Sequence, residues 1–359
     1  MSNANVTLSM IRSGQAYFGV DNATYSAEIK AVQKALFRYG FYPGTPDGYY
    51  GNKTAAAVRG LQNEKGLTVN GLLNQGTLQS LESWAGTIYG NPTATPSLDK
   101  VRKGLDYFHV GDSGYAITTI RGLLNAKGYS CATTGSYDSA LQSVVTSFQN
   151  AVGLTADGLT GQGTLAALED TVSDSNWLIS GNVNLTAGKL ARAGFTDILL
   201  RPDIISSLNA ALNAYGINTK MKVRQFLAQC MAETDKGRSL VEYSYQPGTT
   251  GTASYAPYYG GGLLHLSWST NYAQYKNYKG DSKILNPAEY ATQHVAFAYP
   301  ADSAGWYWDV FKNMNSNSVV NWSDTAWSIC NTITTLVYGD SSQTNTRYTY
   351  YLDIASILL

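Results

Sequence analysis

The sequence contains two copies of one pattern, and this repetition restricts the possible fold more than any other feature. The copies span residues 28–81 and 116–168. Each has an amphipathic helix pattern, a glycine followed by an aromatic residue, a second helix pattern, a glycine turn and a short closing helix. Such recurrence is typical of repeated structural units. We therefore expect two three-helix modules of about sixty residues, each able to form a small core.

Changes of pattern along the chain predict four segments. We expect the first module at residues 24–84, followed by a linker rich in Gly, Pro and Thr at 85–103. The second module is expected at 104–172. Successive amphipathic helix patterns beyond that point predict a third domain at 176–359. The predicted fold class is mainly α, with two small three-helix modules followed by an all-α domain.

The composition argues against several classes of partner. The 359-residue chain has 25 acidic and 25 basic residues, and only 14% of its residues are charged. The sequence has no run of basic residues of the kind that binds nucleic acid. No apolar run approaches the roughly 20 residues of a membrane-spanning helix. The 27 tyrosines suit an uncharged, hydroxyl-rich ligand, because their rings pack on sugar C–H groups while their phenols hydrogen-bond. Most of these tyrosines are nevertheless expected to fill cores.

The three cysteines predict a protein without disulfides or a zinc site, and the N-terminal residues predict one without a secretory signal. Cys131, Cys230 and Cys330 are odd in number and far apart, which favours free thiols over a disulfide framework or a zinc site. No metal site is apparent. The N-terminal residues lack the cationic and apolar regions of a secretory signal, so we expect synthesis in the cytoplasm and release by another route.

The first repeat carries a set of turn and helix positions that can be compared with known modules. These are Gln33, Gly40, Asp47, Gly48, Tyr50, Gly51, Thr54, Gln62, Gly71 and Thr77. The set resembles the peptidoglycan-binding module of bacterial cell-wall hydrolases. The resemblance implies that the first module binds the cell wall and that Asp47, Tyr50 and Gln62 take part. Taken singly, its glycines and threonines are equally explained as turn and helix-cap residues.

The second repeat matches the same module less completely. It keeps the second half of the pattern, at Gln149, Asp157, Gly158, Gly161 and Thr164. The central Asp-Gly of the first half is absent, and only Gly135-Ser136-Tyr137 remains there. Wall binding is therefore expected more of the first module than of the second. Two linked sites would raise the avidity for a repeating polymer.

Two glutamates in the third domain form a candidate catalytic pair. Glu233 shares a helix face with Phe226, Gln229 and Cys230, so we expect its carboxyl group to be partly buried. Desolvation raises the pKa of a carboxyl group, as a general acid requires. Glu242 follows nine residues later in a polar, tyrosine-rich stretch that should leave it ionised. A protonated and an ionised carboxyl group are what glycosidic cleavage needs. On spacing alone, two such glutamates also suit salt bridges or a solvent-exposed surface.

Two segments, one containing Glu233 and one following Glu242, carry a second resemblance. The chain reads FLAQCMAETDKG from Phe226 and YYGGGLLHLSWSTNY from Tyr258. In this order the segments resemble the family 19 glycoside hydrolases, the lysozyme-like group of plant chitinases and phage endolysins. The resemblance covers most of residues 185–350. It implies that the third domain is a lysozyme-like, all-α catalytic domain.

The same resemblance implies a role for each matching residue. Glu233 matches the general acid, Glu242 the general base, and Ser267 the hydroxyl that holds the attacking water. Residues that match the substrate site or its charge network are Asn271, Tyr259, His265 and Arg347. Members of the family invert the anomeric configuration, through a water molecule placed between the two carboxyl groups.

The chain departs from the family pattern at four positions that line the cleft in the family. Ala232 replaces a histidine, Gly261 an arginine and His265 a glutamine. An Asn-Gly-Gly segment near the C-terminus is replaced by residues 334–336, Thr-Thr-Leu. Because these positions line the cleft, the replacements affect which substrate the domain would accept. His265 is open to two interpretations, a sugar-binding side chain or a packed, hydrogen-bonded one.

The combination of modules predicts a cell-wall hydrolase. A wall-binding module beside a glycosidase-like domain favours an endolysin-type muramidase that cleaves the β-1,4 glycan backbone of peptidoglycan, acts as a monomer and needs no cofactor. Its expected partner is bacterial peptidoglycan, reached after release from the cell as phage lysins are. A chitinase acting on N-acetylglucosamine polymers, and a non-catalytic wall-binding protein, remain alternatives.

Overall fold

Helices dominate the computed structural model, which describes residues 3–90 and 96–359. They account for 51% of the described residues. The strands in the described residues are Leu178–Ile179 and Asn182–Val183, which pair antiparallel. The prediction of a mainly α protein is thus confirmed. Residues 91–95 of the predicted linker lie outside the described residues.

The chain forms two compact units, each assembled from separate stretches of sequence. The described parts of Met1–Ala94, Ser239–Gly261 and His265–Ala298 make up the first unit. The second unit contains Thr95–Arg238, Gly262–Leu264 and Tyr299–Leu359. Residues 176–359 therefore contribute to both units. The domain boundaries proposed from the sequence stay predictions.

The first module is built from helices whose ends follow from its sequence. These helices are α1 (Leu8–Arg12), α2 (Ala27–Tyr39), α3 (Asn52–Glu64) and α4 (Gln75–Ala85). The side chains of Thr7, Ser26 and Asn74 accept hydrogen bonds from backbone N–H groups in the first turns of α1, α2 and α4. α2 ends at Gly40, whose φ of 99° is a left-handed conformation that favours glycine.

Buried glutamine side chains hold the turns of the first module. Gln62 is fully buried, and its amide makes hydrogen bonds of 2.9 to 3.0 Å through both its oxygen and its nitrogen. Its partners are Asn70, Gly71, Leu72 and Thr77. Gln33 holds the preceding turn in the same way, through Asp47, Gly48, Tyr49 and Thr54. Each glutamine pairs with the backbone groups of a turn whose central glycine is buried, and these groups would otherwise be costly to desolvate.

The second module repeats this construction with one substitution. Its helices are α5 (Leu98–Arg102), α6 (Tyr115–Ala126), α7 (Ser139–Val152) and α8 (Gln162–Glu169). Gln149 corresponds to Gln62 and bonds Asp157, Gly158, Leu159 and Thr164. The buried Arg121 holds the other turn instead of a glutamine, and donates to the carbonyl oxygens of Ala132 and Ser136. A longer, charged side chain thus replaces the glutamine where the Asp-Gly of the pattern is missing.

The internal repeat extends further toward the N-terminus than the sequence pattern predicted. Residues 8–18 and 98–108 share the pattern Leu-x-x-(Ile/Val)-Arg-x-Gly-x-x-Tyr-Phe. In the first copy Arg12 forms a bidentate ion pair with Glu82, and in the second Arg102 forms one with Glu169. Each module thus has a short additional helix, and α5 lies within the segment predicted as linker.

The rest of the chain is a series of helices with a few short turns of other types. The α-helices are α9 (Ala187–Arg192), α10 (Pro202–Ala214), α11 (Lys220–Glu233), α12 (Ser269–Lys279), α13 (Ala288–Ala298), α14 (Asp302–Trp306), α15 (Ala326–Tyr338) and α16 (Thr344–Ile357). A π-helical turn, Tyr307–Phe311, continues directly from α14. The 3₁₀ turns are Asp197–Leu200 and Ser282–Ile284.

Within the second unit, α11 is the central helix of the C-terminal part. It packs mainly on α16 and also on α15. Residues Gln225 to Met231 are buried without a break, so neighbours surround this helix over nearly its whole circumference. α8 of the second module packs closely on α9, where a Cβ at Gly188 would lie 2.6 Å from the Ala166 carbonyl oxygen. Only glycine fits at that close approach.

Within the first unit, α13 packs on the first module. The ring of Phe297 lies 5.4 Å from that of Tyr39 and 5.3 Å from that of Phe41, measured between centroids. Gln293 Nε2 donates a 2.8 Å hydrogen bond to the carbonyl oxygen of Gly40. His294 contacts Glu64 at the end of α3 at 3.0 Å. The first module and residues 239–298 of this unit therefore share one packed interior.

Candidate active site

Glu233 is the last residue of α11, and its carboxylate pairs with Arg347 from α16. The Glu233 side chain is 16% exposed and that of Arg347 is 3% exposed. The two helices pack along one another, which carries the arginine to the end of α11. A mostly buried carboxylate with a guanidinium partner is held in one orientation, because the charge-assisted bond is both strong and directional.

Tyrosine rings complete the surroundings of this pair. The Arg347 guanidinium lies over the ring of Tyr338, 5.1 Å from its centroid. Burial, with a smaller contribution from the Glu233 charge, raises the pKa of Tyr307 to about 12. Tyr307 therefore keeps its proton at neutral pH and remains a hydrogen-bond donor near Glu233.

The predicted inward face of α11 is buried, as the sequence pattern indicated. Phe226, Gln229 and Cys230 are all fully buried. Gln229 Nε2 donates to Thr334 Oγ1 at 3.2 Å, so one of the positions that departs from the family pattern packs against this helix. Burial raises the pKa of the Cys230 thiol well above its usual value. Cys330 is also buried, Cys131 is half-buried, and all three thiols are free.

Glu242 is held by uncharged donors within the first unit. Its Oε1 accepts hydrogen bonds from Ser244 Oγ at 2.5 Å and from the Tyr255 hydroxyl at 2.8 Å. Its Oε2 accepts the backbone N–H of Gly260 at 3.2 Å. Burial and the hydrogen bond to Glu242 raise the pKa of Tyr255 to about 12, so Tyr255 stays protonated and continues to donate. Glu242 itself is half-buried, which leaves the carboxylate open to solvent on one side.

Residues 258–261 and 265–272 contain the other predicted site residues of the first unit. Ser267 Oγ donates to the carbonyl oxygen of His265 at 2.7 Å, and Asn271 Nδ2 donates to that of Ser267 at 2.9 Å. Both Ser267 and Asn271 are half-buried. Tyr259 is buried, and its hydroxyl accepts the backbone N–H of Thr252 at 3.2 Å. Tyr259 therefore supports the segment from inside, whereas Ser267 and Asn271 reach its surface.

Close packing explains why glycine stands at Gly261, where the family pattern has arginine. A Cβ there would lie 2.8 Å from the carbonyl oxygen of Thr292 and 3.0 Å from the Tyr272 hydroxyl. At the preceding residue, Gly260, a Cβ would come within 2.7 Å of the His265 Cβ. His265 thus packs against backbone that must be glycine.

The predicted site residues fall into two groups by unit. Glu233 and Arg347 belong to the second unit and are brought into direct contact. The remaining candidates of the catalytic region belong to the first unit: Glu242, Tyr259, His265, Ser267 and Asn271. Within that unit, Glu242 and Tyr259 are linked through Tyr255, whose ring centroid lies 5.5 Å from that of Tyr259.

The predicted wall-binding residues lie mostly inside the first module. Gln62 and Tyr50 are fully buried, and the Tyr50 hydroxyl donates to the carbonyl oxygen of Gly71 at 3.0 Å. Asp47 is exposed, and one of its oxygens accepts bonds from Gln33 and from the N–H of Tyr49. Burial raises the pKa of Tyr50, so this phenol stays neutral. These contacts give all three residues a part in shaping the module.

Comparison with known protein families agrees with the repeat. Residues 25–81 and 113–168 each match the family model described as a putative peptidoglycan binding domain. The chain carries two tandem peptidoglycan-binding modules. No curated protein matches the chain.

The additional helix of each module and the side chains that hold Glu242 were not among the features predicted from the sequence. The additional helices α1 and α5 lie outside the matched residues, although their shared pattern is visible in the sequence. In the other part of the site, Ser244 and Tyr255 hold Glu242, and nothing in the spacing of the Tyr-rich loop singles them out.

The described residues show no feature that points to a metal site or a membrane span. Across residues 3–90 and 96–359, no cluster of three or more His, Cys, Asp or Glu side chains is placed to hold a metal ion. Within the same residues no helix is long and apolar enough to cross a membrane.

Proposed function

We propose that this protein binds bacterial peptidoglycan through its two modules and hydrolyses the β-1,4 glycan backbone as an inverting muramidase. The observation that carries the proposal is the contrast between two carboxyl groups. Glu233 is mostly buried and pairs with a buried arginine, whereas Glu242 is half-buried and held by uncharged donors. Inverting glycosidic hydrolysis uses two carboxyl groups, one as acid and one as base, and Glu233 and Glu242 are the two that the proposal assigns to these roles.

In this mechanism Glu233 is the general acid. To act as the acid, Glu233 must first take up a proton, which weakens its ion pair with Arg347, and it then delivers that proton to the glycosidic oxygen as the bond to the anomeric carbon breaks. Arg347 holds the Glu233 carboxyl group at the end of α11 and stabilises the carboxylate left after proton transfer. Tyr307, which stays protonated, is a further neutral donor close to this group.

Glu242 is the general base. It accepts a proton from the water molecule that attacks the anomeric carbon from the opposite face, which inverts the configuration. Tyr255 and Ser244 orient the carboxylate, and the Ser267 hydroxyl is assigned to the attacking water. The reaction consumes one water molecule and requires no cofactor.

The modules supply the reason for choosing peptidoglycan as the substrate. A matched peptidoglycan-binding pair keeps the chain on a wall polymer, which raises the local concentration of glycan for the catalytic residues. The first module and the residues that hold Glu242 belong to the same compact unit. Wall binding and catalysis are therefore proposed to depend on one packed structure.

The test is hydrolysis of defined glycans by the protein and by matched variants. Purified peptidoglycan and chitin oligomers are incubated with the wild type, with Glu233→Gln and with Glu242→Gln, and the new reducing ends are identified by mass spectrometry. We expect muramic acid ends from the wild type and a loss of at least about a hundredfold in either variant. Asp235→Asn is the control, because Asp235 is an exposed acid two residues from Glu233.

Other outcomes of the hydrolysis assay would change the assigned function. New ends from chitin alone would replace muramidase by chitinase activity. Wild-type protein that sediments with peptidoglycan but produces no new ends would show a wall-binding protein without hydrolase activity. Full activity in Glu233→Gln would remove Glu233 from the mechanism.

A further inference from the structure

Trp268 combines an unfavourable backbone conformation with an exposed indole ring. Its φ is 74°, in the left-handed region that residues with a Cβ adopt at a cost. Its side chain is nevertheless 51% exposed, so the ring contributes little to the core. A strained residue of this kind persists only where its surroundings impose it, and such residues are concentrated at functional sites.

The backbone contacts of Trp268 explain the conformation but not the side chain. Its N–H donates to the carbonyl oxygen of Tyr258 at 3.0 Å, and its own carbonyl oxygen accepts from Asn271 and Tyr272 at 3.1 Å. These bonds begin α12 and join it to the preceding segment. Glycine would make all of them with no steric cost. The presence of tryptophan therefore requires a reason that lies in its ring.

The ring lies next to the residues that hold the proposed general base. Its centroid is 5.4 Å from that of Tyr255, and the two rings are tilted by 54°. The Tyr255 hydroxyl donates to Glu242 Oε1 at 2.8 Å. Only one aromatic side chain therefore separates the indole from the carboxylate. All three residues belong to the first unit, so their arrangement is fixed within one packed structure.

We propose that Trp268 and Tyr255 form a stacking platform for one pyranose ring of the glycan, beside Glu242. The apolar C–H face of a hexopyranose packs on an aromatic face, while its hydroxyl and acetamido groups remain available for hydrogen bonds. The platform carries no charge of its own and so suits an N-acetylhexosamine. This inference rests on the proposed function, because it names the subsite next to the proposed base.

The strained backbone makes a discriminating test possible. Trp268→Gly removes the ring and relieves the strain, so the thermal unfolding midpoint should be unchanged or higher. The same variant should raise KM for peptidoglycan glycan strands or N-acetylglucosamine oligomers at least about tenfold with little change in kcat, because stacking in ground and transition states is alike. Trp268→Phe should recover most of the affinity. Trp327→Ala is the control, since Trp327 is also exposed but lies on α15 of the second unit.

Calorimetric titration with the N-acetylglucosamine hexamer and with solubilised glycan strands separates this inference from the hydrolase proposal. Binding without cleavage that Trp268→Gly loses would support the platform and overturn the hydrolase proposal. Cleavage with the same KM in wild type and Trp268→Gly would overturn the platform and leave the hydrolase proposal standing. A lower unfolding midpoint in Trp268→Gly would show that the ring is structural. A wild type that neither binds nor cleaves these glycans would overturn both.

Discussion

At the scale of single residues, the module signature is explained by hydrogen bonds inside each module. Gln33, Gln62 and Gln149 each hold one turn with a buried central glycine, through an amide whose oxygen and nitrogen both make hydrogen bonds. A shorter or apolar side chain at these positions would leave several backbone and side-chain groups unpaired. The recurring Gln, Asp-Gly and Thr positions therefore belong to one hydrogen-bonded turn in each half of the pattern.

Replacing Gln62 tests whether the residue is structural or contacts the wall. Gln62→Ala should destabilise the first unit by about 3 kcal/mol, because Gly71 and Thr77, which are both buried, lose their hydrogen-bond partner, as does the backbone N–H of Asn70. Thermal and denaturant unfolding measure this effect. Gln79→Ala, at an exposed position of α4, is the control and should be nearly neutral. A Gln62→Ala variant that keeps wild-type stability but no longer sediments with peptidoglycan would instead identify Gln62 as a wall contact.

At the scale of secondary-structure elements, a buried histidine joins α3 to α13. His294 lies 3.0 Å from Glu64 and 2.8 Å from Asp281, and its side chain is 8% exposed. Burial lowers the pKa of His294, but the hydrogen bonds and charges of the two carboxylates outweigh burial and raise it above the usual 6.5. The protonated imidazole can donate to both carboxylates at once, which the neutral ring cannot do.

The stabilising effect of this contact should depend on pH in a defined direction. Because the folded pKa is raised, the contribution is fully present below pH 6.5 and is lost as the pH rises through the folded value. We expect the difference in unfolding free energy between wild type and His294→Gln to shrink from about pH 5 to about pH 9. Glu64→Gln removes one partner of the same contact and should reduce the pH dependence as well. A difference that stays constant across this range would contradict the assignment.

At the scale of the whole molecule, neither compact unit is formed by one continuous stretch of sequence. The first module shares an interior with residues 239–261 and 265–298, through Phe297, Gln293 and His294 among others. Segments distant in sequence thus depend on each other for burial. Losing the first module would expose the apolar and polar partners of α13 together.

A truncated chain tests this dependence. A protein without residues 1–94 should unfold at a lower temperature than the wild type and lose hydrolysis of short soluble glycans, since Glu242 is held by the same unit. Thermal unfolding and reducing-end assays measure both effects. Phe297→Ala in the full chain is a milder variant and should cost about 3 kcal/mol or less, because its side chain is only half-buried. Wild-type stability and activity in the truncated chain would show that the first module is an independent domain.

The helices of both modules follow closely from local sequence. Periodic apolar residues, capping Ser, Thr and Asn side chains and terminal glycines define where they begin and end, so these features were predictable from neighbouring residues alone. The burial of Phe226, Gln229 and Cys230 on α11 also followed from helical spacing. A shared pattern at residues 8–18 and 98–108 was equally present in the sequence and predicts the extra helix of each module.

The partners of each candidate side chain were decided by the tertiary structure. Helical spacing placed Glu233 on an inward face, but only the packing of α16 on α11 brings Arg347 to it, from more than a hundred positions along the chain. Ser244 and Tyr255 hold Glu242, and Trp268 packs on Tyr255, because the loop folds back on itself, and no sequence periodicity or motif predicts these contacts. Sequence patterns report local geometry and burial. Contacts between distant residues depend on how complete helices and loops pack, which is why the amino-acid sequence determined the modules and the candidate acids, and the fold determined what surrounds them.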